Sequence, residues 1–141
     1  MATATKPKPF RLLGSKSGDL RATHEAILAG LPYSTLARLI KSFDGSADEL
    51  LAPLAMGPKK LALRKAKGRL TVAESERVYR LARLLELATE LYEGSEAGAI
   101  RWLCSPARSF SGETPLMRAR TEVGARQVEH LIGRLEHGVF S

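Results

Sequence analysis

Six cations fall between positions 59 and 69, with no acid among them: Lys59, Lys60, Arg64, Lys65, Lys67 and Arg69. The chemistry open to such a cluster is phosphate neutralisation, because counterion release on a polyanion provides most non-specific affinity. All six are therefore candidate DNA-binding residues. Arg64 suits bidentate contact with guanine, whereas lysines more often hold phosphate. A charge run also reads as the solvated face of a helix. Against that reading stands the Leu-rich helical sequence with turn-like spacing just ahead of it. Residues 1–70 carry thirteen Lys/Arg against five Asp/Glu, and residues 71–141 carry nine against ten. Every lysine lies in the first part. The near-neutral second part needs a different task.

Other chemistries find no support in the residue pattern. His24-Glu25 lacks the second histidine of a metalloprotease helix, and neither a Gly-rich phosphate loop nor a nucleophile elbow occurs. Cys104 is the single cysteine, and with His24, His130 and His137 it shows no metal-ligand spacing. It reads as a small buried hydrophobe. Glu86, Glu90 and Glu93 read as the solvent side of a helix. The chain is expected not to be an enzyme and to need no cofactor and no metal. One cysteine, no signal peptide and no apolar run of spanning length fit a cytoplasmic protein without a membrane partner.

The elements that position the cations are helical. A hydrophobic content of 44% excludes global disorder, and with only 6% aromatics the core must be mainly Leu and Ala, which suits helices. The spacing predicts helices over 20–29, from Tyr33 or Ser34 to Phe43, and over 47–55, 58–67, 72–93, 95–104, 115–120 and 122–137. Ser46 with Glu49, and Thr71 with Glu74, read as capping boxes. Pro53 falls late in its short helix and predicts distortion or an early end. Pro58 and Pro115 suit first helical positions. Val78, Leu81, Leu85, Ala88 and Tyr92 form a stripe, widened by Leu84, Leu87 and Leu91, that serves as core or as a dimer seam. Gly124 and Gly133 inside the last helix suggest close packing against another element. No segment alternates with period two, so the fold class is all-α. Four regions follow: a basic tail at 1–18, a helix-turn-helix region at 19–70, a connecting and dimerisation helix at 71–94, and a helical unit at 95–141.

The pair of helices from Ala47 to Lys67 fits a helix-turn-helix reader. Leu51 and Leu54 are the buried residues of its first helix, Ala55 and Met56 form the turn, and Leu61 anchors the second helix. That second helix then lies in the major groove, with Lys59, Lys60, Leu63 and Arg64 as its exposed side chains.

Several segments carry a family resemblance. They are Ala99-Ile100-Arg101-Trp102-Leu103, Pro106, Phe110-Ser111-Gly112-Glu113-Thr114-Pro115-Leu116, Thr121-Glu122-Val123-Gly124-Ala125-Arg126-Gln127-Val128, and Leu131, Leu135 and Gly138. Together with Leu31-Pro32-Tyr33-Ser34-Thr35-Leu36 and Leu61-Ala62-Leu63-Arg64-Lys65, they resemble the Xre/MbcA/ParS antitoxin family over about residues 20–141. Ala55 stands where many helix-turn-helix readers have Gly, and Gly57 where they have Ser or Thr as the cap. Locally, Gly112 permits a tight approach, Thr114 caps and Pro115 opens a helix.

The resemblance implies an antitoxin of a type II toxin–antitoxin pair. Its helix-turn-helix half would bind promoter DNA and autoregulate the operon, as a homodimer or a higher hetero-oligomer. Its C-terminal half would cover the active site of a RES-domain toxin, a toxin family that acts on NAD. The implied toxin-binding residues are Trp102, Gly112, Thr114, Pro115, Arg126, Arg134 and His137, with Val139, Phe140 and Ser141 as a short apolar tail in or beside the toxin's cleft. Phe140 folding back on this chain's own core is the competing expectation for the tail. The alternative for the whole chain is a free-standing helix-turn-helix regulator whose second half only dimerises.

Overall fold

The computed structural model describes residues 19–138. The basic tail read at 1–18 and the apolar tail Val139, Phe140 and Ser141 lie outside the described residues. Eight α-helices follow one another among those described: α1 Leu20–Ala29, α2 Tyr33–Phe43, α3 Ala47–Leu54, α4 Pro58–Lys67, α5 Val72–Leu91, α6 Glu96–Leu103, α7 Pro115–Arg118 and α8 Glu122–Glu136. The fold is all-α: the only extended pairing among the described residues is one isolated antiparallel bridge, Pro32 with Arg69.

Helix α5 is the axis. Its Thr71–Glu74 capping box forms as the sequence predicts: Glu74 N–H donates to Thr71 Oγ1 at 3.2 Å, and Thr71 N–H donates to Glu74 Oε1 at 2.9 Å. From there α5 buries Val78, Leu81, Ala82, Leu84, Leu85 and Ala88. It packs against α1, α2 and α3 of the N-terminal part and against α6 and α8 of the C-terminal part. Both parts therefore share one core, which joins Leu36 and Leu54 to Leu103 and Val128. This corrects the dimer-seam expectation. The stripe is consumed inside the chain, where each buried leucine contributes about 1.5–3 kcal/mol, and of its members only Tyr92 is exposed, at 39%.

Two local readings are also corrected, at Ser46 and Gly133, while the early end that Pro53 predicts is met. Ser46 does not cap α3: a 3-10 turn, Asp44–Ser46, runs directly into the helix, which leaves Ser46 at φ −109°, ψ 18° with no hydrogen bond from its side chain to the first turn. Helix α3 ends at Leu54, immediately after the buried Pro53, and Ala55 adopts the left-handed conformation (φ 55°, ψ 41°) that glycine would take without strain. Gly133 has open space around it, with nothing within 4 Å of an added Cβ, so it is not a packing glycine.

Candidate nucleic-acid interface and partner surface

Helix α4 buries no residue. Gly57 precedes it in an extended conformation, Pro58 supplies its first φ, and Gly68 stops it in the left-handed region. Two hydrogen bonds tie the residues after it to the α1–α2 link, and a third ties that link to α5. Tyr33 N–H donates to Gly68 O at 2.9 Å, Leu70 N–H donates to Leu31 O at 2.9 Å, and Leu31 N–H donates to Ser75 Oγ at 2.8 Å. At the other end of the turn, Arg77 Nη1 donates to the Leu54 carbonyl at 3.3 Å, tying α5 to the end of α3.

The six candidate cations divide into two groups. Lys59, Lys60, Lys65 and Lys67 are exposed and form no ion pair with an acid among the described residues. Arg64 points inward, which corrects its place among the exposed side chains. Its Nε lies 2.7 Å from Glu74 Oε1, with the two side chains 16% and 4% exposed, in an ion pair rather than an aligned hydrogen bond. Arg69 is also engaged: its Nη1 donates to the Gly30 carbonyl at 2.5 Å and to the Ala29 carbonyl at 3.3 Å, closing the end of α1. The composition of the run shows its charge but not this division. The signal lies in helical phase, since Arg64 follows the half-buried Leu61 by three residues.

Burial opposes ionisation of Glu74, but the Thr71 N–H, the Arg64 guanidinium and the Thr71 hydroxyl together outweigh it and hold the carboxyl below the usual range. A folded pKa below the unfolded one gives stability that is full above the unfolded value and is lost as pH falls through the folded value. Melting temperature is therefore expected to drop on acidification from about pH 5 towards about pH 3. Glu74→Gln should flatten that part of the profile. Melting curves across the range check this, and identical acid profiles for both proteins would contradict it.

The C-terminal surface is built around a tied loop. Ala107 N–H donates to Glu113 O at 3.1 Å and Gly112 N–H to Ala107 O at 3.0 Å. Glu113 carries an ion pair with Arg120 and a second with Arg118 at 3.5 Å; the Arg120 pairing first, then Arg118, lowers its pKa. The Arg118 guanidinium also lies 5.3 Å from the centre of the Phe110 ring. Gly112 sits at φ 88° with nothing close to an added Cβ, so its backbone conformation and not tight approach calls for glycine. Thr114 Oγ1 accepts from Met117 N–H at 3.1 Å, and Pro115 is buried. Both hold the start of α7 and leave little side chain for a partner. Trp102 is half-buried against the core from α6. Cys104 is half-buried too, and burial and the neighbouring Glu49 carboxylate push its thiol up to about 12, so it stays protonated.

Of the expected partner residues, Arg126, Arg134 and His137 share the solvent face of α8. His130 is exposed between them, and Val123 begins the same stripe at 69% exposure. The expected set omits Val123 and His130, although both follow the three-and-four spacing of the others. Along the flank of this face, α8 is fastened to α5 by Arg83–Glu129 at 2.9 Å and Arg80–Glu122 at 3.4 Å.

The two glycines of α8 should respond oppositely to substitution. An added Cβ at Gly124 would stand 1.8 Å from the Arg118 carbonyl oxygen. Gly124→Ala is expected to destabilise the fold by about 3 kcal/mol through that overlap. Gly133→Ala is expected to stabilise it by about 0.5–1 kcal/mol, since it restores helix propensity in open space. Denaturant titration of both variants checks the pair; equal effects would contradict it.

Among the described residues, no group of three His, Cys, Asp or Glu side chains converges as a metal site, and no helix is long and apolar enough to cross a membrane. Residues 22–83 match the model of the antitoxin Xre-like helix-turn-helix domain, and residues 87–138 match that of the antitoxin Xre/MbcA/ParS C-terminal toxin-binding domain. Three curated relatives are each named Antitoxin Xre. The protein from Yersinia enterocolitica is 39% identical over 94 residues, 66% of this chain and 64% of its own length. That from Photorhabdus laumondii is 40% identical over 75 residues, 53% of this chain and 51% of its own. That from Pseudomonas putida is 38% identical over 69 residues, 49% and 43% respectively. The chain thus spans less than two thirds of each relative's length. With the helix-turn-helix model running into α5 and the toxin-binding model starting near its end, the chain belongs to the Xre/MbcA/ParS antitoxin family.

Proposed function

We propose that this chain is the antitoxin of a type II pair: its C-terminal half covers the active site of a RES-type, NAD-degrading toxin, and its helix-turn-helix binds and autoregulates its own promoter in the cytoplasm. The observation that carries this reading is the pairing of two outward surfaces on one core. Helix α4 presents four lysines that form no ion pair with an acid among the described residues, and α8, in the segment matching a toxin-binding domain, presents Val123, Arg126, His130, Arg134 and His137. Both helices are fixed through α5, so each surface is preformed and binding costs little ordering. Val139, Phe140 and Ser141, which lie outside the described residues, belong to the same proposed toxin contact. Two copies reading two half-sites one helical turn apart supply the DNA-binding unit; they pair through a surface other than the α5 stripe, which is buried within one chain.

Coexpression tests the reading. Cells that express a RES-type toxin encoded beside this chain should grow when the chain is coexpressed and arrest when it is not. Arrest in both cases would leave a regulator without neutralising activity.

A further inference from the structure

The withdrawal of Arg64 into its ion pair leaves α4 with an unusual outer face. At the helical repeat, Lys59, Leu63 and Lys67 stack at i, i+4 and i+8, with Lys60 beside them. Leu63 is therefore the centre of the cationic stripe, and it is 46% exposed. Ala62 and Ala66, both exposed, flank it with side chains too short to hold the helix away from a surface. The outer face carries no Arg, Asn or Gln, the side chains that read guanine or adenine by paired hydrogen bonds. What a leucine offers instead is apolar contact, and the apolar feature of the major groove is the 5-methyl group of thymine. The surrounding lysines match the phosphates on either side and would bring that leucine to the groove floor.

We infer that Leu63 is a specificity-determining residue that packs on a thymine 5-methyl group in the major groove, while Lys59, Lys60 and Lys67 hold phosphate. This rests on the reading of α4 as the DNA-binding helix. It assigns base selectivity to a methyl contact in place of the arginine–guanine pair that the sequence suggests.

Uracil substitution tests it, because it removes the methyl and leaves every hydrogen-bonding group of the base in place. The full chain is titrated by mobility shift against its own promoter fragment, prepared with thymine or with uracil throughout. The wild type is expected to bind the uracil fragment more weakly, by about fourfold for each methyl taken from water. Leu63→Ala should bind the thymine fragment with that same loss and show no difference between the two DNAs. Its salt slope should be unchanged, since every phosphate-holding lysine is still present. Leu63→Met, which keeps the apolar contact, should retain most of the thymine preference. Equal wild-type affinity for both fragments would overturn the inference and leave DNA binding by α4 intact. So would a thymine preference that survives in Leu63→Ala, or a Leu63→Ala defect confined to toxin binding or self-association, which would place Leu63 against protein. Absence of any salt-dependent retardation by the wild type would instead remove DNA from α4, and the inference with it.

Discussion

Replacing Lys59, Lys60 and Lys67 together with alanine is expected to lower promoter affinity on the order of a hundredfold at about 0.15 M salt. The log–log salt slope should flatten by about 2.7 units, about 0.9 for each phosphate that no longer meets a lysine. Melting temperature should hardly move, because α4 buries none of its residues and these side chains form no ion pair with an acid among the described residues. Arg64→Ala makes the contrasting case. It leaves Glu74, 4% exposed, without its counter-charge and should cost about 3 kcal/mol of stability. Weakened DNA binding in that variant would then come with a lowered melting temperature, whereas in the lysine variant it would not. Mobility shifts across a salt series, read beside melting curves, separate the two. An unchanged slope in the lysine variant would remove DNA from this face.

Reversing charge on the other surface should have the opposite selectivity. Arg126→Glu with Arg134→Glu is expected to weaken toxin binding by about thirtyfold or more and to abolish rescue of growth. Folding and promoter binding should persist. Both side chains are exposed, and the ion pair that Arg126 makes, at 3.4 Å with Glu122 one turn away, is a surface pair of little worth. Arg118→Ala provides the control, since Arg118 is tied to Glu113, Gln127 and the Phe110 ring and should report on loop stability. If the doubly reversed variant still protects cells fully, the solvent face of α8 is not the contact.

Helix existence and order are legible in the sequence because caps and stops there are chemical. Thr71 and Thr114 accept the hydrogen bonds that the sequence reading gives them, Pro58 and Pro115 open their helices, and Asp19, Ser95 and Thr121 cap in the same way. Ser46 has the same chemistry and fails: it leaves a 3-10 turn at φ −109°, ψ 18°, not in the extended conformation of Thr71, Ser95, Thr114 and Thr121. Side-chain orientation is less legible. Arg64 and Lys65 are neighbours of like charge, yet one is drawn to Glu74 and the other faces solvent; a partner ten residues away decides it, and only the packing of α4 on α5 reveals that partner. The wide α5 stripe reads equally as core or seam. The choice depends on how many helices surround it, and that number is a property of the tertiary fold. In the C-terminal half, the Gly112-Glu113-Thr114-Pro115 segment stands out in sequence for reasons that prove mainly architectural, whereas the exposed stripe of α8 includes Val123 and His130, which carry no motif.

Occlusion of a toxin's NAD site by the C-terminal half, as proposed above, can be read from one titration. NAD consumption by a purified RES-type toxin, the proposed partner, is followed as the full chain is added. Consumption should decline in proportion to added chain, to near zero once every toxin site is filled, and should not decline with the Arg126→Glu/Arg134→Glu variant at the same concentrations. Undiminished NAD consumption at saturating wild-type chain, under conditions where the two proteins co-elute, would contradict it.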